Sequence, residues 1–103
     1  MEAKTLDANK IKAFEQYLQS EERSKATLEK YMHDVHAFAM YVGCAEIDKN
    51  LVLNYKNELK NNYAVTSANS MLAALNAFFR FCGWHELCVR QFRIQREAYC
   101  TEQ

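Results

Sequence analysis

The chain is patterned as helix throughout. Ile11, Phe14 and Leu18 recur at spacings of three and four with Tyr17 beside them, which is one face of a helix, and the stripe fades at Ser20, Glu21 and Glu22. A second stripe, Leu28, Tyr31, Val35, Phe38 and Val42, is preceded by Ser24 as an N-cap and closed by Gly43 as a C-terminal cap. A third helix is predicted from Asp48, another N-cap, with Val52, Tyr55 and Leu59 on one side before the polar run Lys60-Asn61-Asn62. The fourth is predicted to start at Thr66 or Ser67, with Ser67 as a capping residue. It presents Ala68, Leu72, Leu75, Phe79 and Cys82, flanked by Met71 and Phe78, up to Gly83. From Glu86 onward Val89, Phe92 and Ile94 interleave with Arg90, Arg93 and Arg96 and fit neither helical nor strand period. That stretch reads as a linker or a docking arm.

Proline is absent and glycine occurs only twice, so the turn chemistry of repeated β-hairpins is missing. The expected fold is all-α: a compact bundle of four short helices over residues 1–84, followed by a C-terminal linker or arm over 85–103. With 103 residues, half of them apolar and a quarter charged, the chain has the size and composition of one globular domain.

Net charge is zero, which argues against a non-specific basic nucleic-acid binder, so any DNA contact must be local. No apolar run approaches the roughly 20 residues of a membrane span, and MEAKTLDANK lacks the apolar core of a signal peptide, so a cytoplasmic location without membrane contact is expected. In that compartment Cys44, Cys82, Cys88 and Cys100 stay reduced, and their spacing matches no zinc pattern. Cys44 and Cys82 read as small apolar residues near helix ends. His33, His36 and His85 read as surface or packing residues rather than metal ligands, and no cofactor or metal is expected.

Several helical segments share positions with a known family. Ser24-Lys25-Ala26-Thr27-Leu28-Glu29-Lys30-Tyr31 with Asp34-Val35 and Phe38 resembles the second helix of the N-terminal core-binding (SAM-like) domain of tyrosine recombinases and phage integrases. Ile47-Asp48, Val52, Tyr55 and Leu59 are similar to its third helix, and Ser67, Asn69, Leu72, Ala74-Leu75 and Phe78-Phe79-Arg80-Phe81 to its fourth. No single piece is specific; order and spacing carry the likeness across residues 8 to 84. The resemblance implies one half of a clamp on double-stranded DNA, with strand exchange performed by a separate catalytic domain of the same parent chain and by recombinase protomers assembled on the DNA.

Residue chemistry is compatible with that role. Lys25, Thr27 and Lys30 lie in the first turns of a helix, where free N–H groups and the dipole favour a phosphate. Thr66, Ser67, Asn69 and Ser70 make a similar polar start to the fourth helix, able to reach phosphates or base edges. Together these residues are expected to form one polar surface with little acidic charge. Ser70, Met71 and Asn76 stand where relatives often carry Arg or Lys, and Arg80 with the tail arginines is expected to compensate.

No catalytic residue is expected. Recombinase chemistry needs a tyrosine nucleophile surrounded by arginines and a histidine, and the His-x-x-Arg element of the family has no counterpart here. The alternative reading is a helical protein-interaction module that docks a partner through Val89, Phe92 and Ile94.

Overall fold

Capping chemistry sets where the helices begin. In a computed structural model, which describes residues 4–43 and 45–93, Asp7 accepts from the N–H of Lys10 at 2.7 Å and opens α1, Ala8–Ser20. Ser24 accepts from the N–H of Thr27 at 3.1 Å and opens α2, Lys25–Val42. Asp48 accepts from the N–H of Leu51 at 2.8 Å and opens α3, Lys49–Asn62. Each of these acceptors satisfies one of the donors that a helix start leaves without a partner.

α4, Val65–Cys82, departs from the expected start. Its N-cap is Ala64, with no side-chain hydrogen bond, and Ser67 lies inside the helix instead of capping it. The helix begins earlier because Ala64 has the extended backbone of a cap, φ −64° and ψ 154°, so Thr66 and Ser67 are left as exposed hydroxyl residues in the first turn. Its end follows the expected pattern: Gly83 adopts φ 79°, and the N–H of Trp84 closes on the carbonyl of Phe79 at 2.8 Å.

Among the described residues the four helices form an all-α bundle around α4, whose Ala68, Leu72, Leu75, Phe78 and Phe79 are almost fully buried. Edge-to-face rings join the helices. Phe78 meets Phe14 of α1 at 5.2 Å, Phe79 meets Phe38 of α2 at 5.7 Å, and Phe38 meets Tyr55 of α3 at 4.9 Å between centroids.

The described part of the stretch expected as a linker or docking arm runs back along the bundle. A 3₁₀ turn, His85–Leu87, is followed by an extended strap over 88–93, and Leu87 and Val89 are part of the buried core. Asn76 donates from Nδ2 to the carbonyl of Val89 at 2.8 Å and accepts from its N–H at 3.0 Å. Asn69 does the same to Phe92, at 2.9 and 2.6 Å. The spacings agree: seven residues of helix rise about 10.5 Å, and three residues of extended chain span about 10 Å. Lys49 adds a bond to the carbonyl of Cys88 at 2.8 Å, and Lys56 lies 4.9 Å from the ring centroid of Phe92. Cys44, Ile94, Arg96 and Cys100 lie outside the described residues.

Candidate nucleic-acid interface

The polar starts that sequence grouped are brought together only in part. Lys30, His33 and Asp34 of α2 and Thr66, Ser67 and Ser70 of α4 line one cavity of about 430 Å³, with Tyr63 and Met71. No side chain caps α4 there, so its first-turn N–H groups and the positive end of its dipole lie beside three hydroxyl side chains and one ammonium. This is a donor-rich, anion-compatible setting.

The surface expected to be nearly free of acid holds a carboxylate. Asp34 is 3% exposed and forms an ion pair with Lys30, one turn earlier on the same helix, while His33 Nδ1 stands 3.5 Å from its other oxygen. A buried carboxylate needs such partners, so the positive charge of Lys30 is shared between Asp34 and any anion in the cavity.

A second cavity, about 520 Å³, is lined by Tyr17 and Leu18 of α1, Arg23 before α2, and Ala77, Arg80 and Phe81 of α4. Thr66, Ser70, Ala77 and Arg80 recur at intervals of four, seven and three, hence on one face of α4. Both cavities therefore open along that face, and Ser70 and Arg80 are separated by a rise of about 15 Å. That span is comparable to the major groove, about 12 Å wide.

The other expected site residues fall elsewhere. Lys25 is exposed in the first turn of α2 and lines neither cavity; Thr27 is half-buried, its hydroxyl 2.9 Å from that of Ser24. Asn69 lies away from both cavities: it is 8% exposed, and its side-chain amide donates to the carbonyl and accepts from the N–H of Phe92. Asn76 and Met71 serve packing, since Asn76 holds Val89 and Met71 is buried. Arg23 and His33 were not among the expected site residues, although Arg23 directly precedes the Ser24 cap and His33 follows Lys30 by three.

A family model described as the N-terminal SAM-like domain of phage integrase matches residues 11–86. The chain belongs to this integrase N-terminal domain family. No curated protein and no solved structure matches it. The SAM-like domain is all-α, as the helices here are, and membership makes the chain a recombinase-related domain. The matched segment takes in all four helices and ends inside the 3₁₀ turn, so the strap that docks on Asn69 and Asn76 lies beyond the SAM-like match. No helix among the described residues of the domain is long and apolar enough to cross a membrane.

Proposed function

We propose that this SAM-like domain grips double-stranded DNA through the α2–α4 face, as the non-catalytic half of a clamp completed by a catalytic domain of the parent recombinase. The observation that carries the reading is the convergence of Lys30 with Thr66, Ser67 and Ser70 on one cavity, on the α4 face that also bears Arg80, in a chain of the integrase family. Lys25 and Arg23 extend the cationic margin, and Thr27 supports the α2 start. The working site is the cytoplasm, in the company of other recombinase protomers on the same DNA.

Binding by this domain alone is weak. Net charge is zero and Lys30 is shared with Asp34, so few counterions are released and affinity falls in the non-specific range of about 10⁻⁴ to 10⁻⁶ M. The protein-module alternative is less favoured, because two of its three stripe residues pack on the bundle, Val89 buried against α4 and Phe92 half-buried beneath Lys56, while Ile94 lies outside the described residues.

Titration of a fluorescent duplex at several salt concentrations tests the reading. Lys30→Ala and Arg80→Ala are each expected to weaken binding to all sequences and to lower the salt slope by about one unit. Lys12, on the far groove between α1 and α2, is the control. Lys60 is less suitable, being one turn before Tyr63, which lines the first cavity. Salt-independent binding, or equal losses from Lys12→Ala and Lys30→Ala, refutes the assigned face.

A further inference from the structure

The second cavity carries chemistry that a duplex backbone does not use. Tyr17 and Phe81 are large aromatic side chains left 41% and 36% exposed, with ring centroids 5.0 Å apart and planes inclined by 35°. Phe14, fully buried, backs both at 6.3 and 5.5 Å, so the pair is held from below by the core. Arg23 and Arg80 line the same cavity. The ion pairs among the described residues involve Lys4, Lys10, Lys30 and His33, and neither guanidinium is ion-paired to a carboxylate of the described residues. None of the six lining residues is acidic. Arg23 is instead placed 5.7 Å from the ring centroid of Tyr31.

An exposed aromatic pair asks for a planar or apolar group, and two guanidiniums without a carboxylate partner among the described residues ask for an anion. A nucleotide supplies both on one molecule. A base in a duplex keeps its faces stacked on its neighbours, so the nucleotide that fits is one whose base is out of the stack. Resting on the DNA-binding reading above, we propose that the Tyr17–Phe81 cavity is a subsite for an unstacked nucleotide, with its base on the two rings and its phosphate between Arg23 and Arg80. The cavity volume, about 520 Å³, falls in the range of small-ligand sites. Its place on the α4 face of Thr66 and Ser70 makes it continuous with the duplex grip, so the subsite engages strands opened beside bound duplex.

The test uses the full chain and three probes: an oligothymidylate of about 12 nucleotides, an abasic oligomer of the same length, and a hairpin duplex. Oligothymidylate is expected to bind about tenfold more tightly than the abasic oligomer, the scale of one base–ring stack. Tyr17→Ala and Phe81→Ala are expected to erase that preference while leaving duplex binding unchanged, and Tyr17→Phe, which keeps the ring, to retain it. Circular dichroism checks that the variants are folded. Equal binding of thymidylate and abasic oligomers, or a preference that survives both alanine variants, overturns the subsite while leaving the duplex reading intact. Failure to bind any of the three probes overturns the DNA reading itself. A Phe-containing acidic peptide that binds with Tyr17 and Phe81 dependence where oligothymidylate does not assigns the cavity to a protein partner and overturns the proposal.

Discussion

Replacing Asn76 by Ala removes both hydrogen bonds that tie Val89 to α4, at 2.8 and 3.0 Å. Each such bond contributes about 1 kcal/mol net, and a buried peptide group left without a partner costs about 1 to 3 kcal/mol. Val89 is 8% exposed, so its N–H and C=O regain water only if the strap lifts away. Lifting exposes the apolar side chains of Val89 and Phe92, which sets a ceiling of a similar size. The expected loss is therefore about 2 kcal/mol, or a fall in Tm of about 8 to 16 °C for a domain of this length. Urea unfolding gives the free energy, and hydrogen exchange at the amides of Val89 and Phe92 shows whether the strap has opened. Asn69→Ala is expected to act alike through Phe92, and the double variant to cost less than the sum because the second change meets a strap already loosened. A loss below about 0.5 kcal/mol with both amides still protected refutes the idea that these side chains hold the strap.

Other perturbations probe the rest of the molecule. Phe79→Ala, at a fully buried ring between Phe38 and Trp84, is expected to cost about 3 to 5 kcal/mol, and an unchanged melting temperature refutes the packing described. Ala64→Ser is expected to stabilise by about 1 kcal/mol, since the backbone is already extended there and α4 has no side-chain cap; chemical denaturation reads it. Burial, with smaller contributions from Tyr63, Asp34 and Tyr41, raises the Tyr55 phenol to about 12 from its ordinary 10. The unfolded chain then loses this proton first, so Tyr55 contributes stability that is complete below pH about 10 and is lost as pH rises toward about 12. Tyr55→Phe is expected to flatten that alkaline decline in the urea midpoint, and an unchanged decline refutes the assignment.

The four helices and most of their ends were legible in the order of residues. Ser24 and Asp48 act through neighbours three residues away, and Gly43 and Gly83 through their own φ, so these signals are local and survive without knowledge of the fold. The core faces were legible for the same reason, since Phe14, Phe38, Leu75 and Phe79 stand at helical spacing. The family was legible because it is written in the order of those positions.

The roles of the polar residues depend on how the helices pack. Asn69 is as polar as Ser70 beside it in sequence, but the helix turns it beneath the strap, and a buried amide is consumed by the nearest unpaired peptide group. The described part of the arm after Glu86 is held by side chains on α3 and α4, and bonds between distant segments leave no periodic trace. Asp34 entered the candidate site, and Arg23 and His33 joined it, through the packing of α2 on α4, and the pairing of exposed Tyr17 with Phe81 brings together side chains 64 residues apart. Periodicity reports which face of a helix is buried; what the exposed face meets is set by which other helix ends beside it.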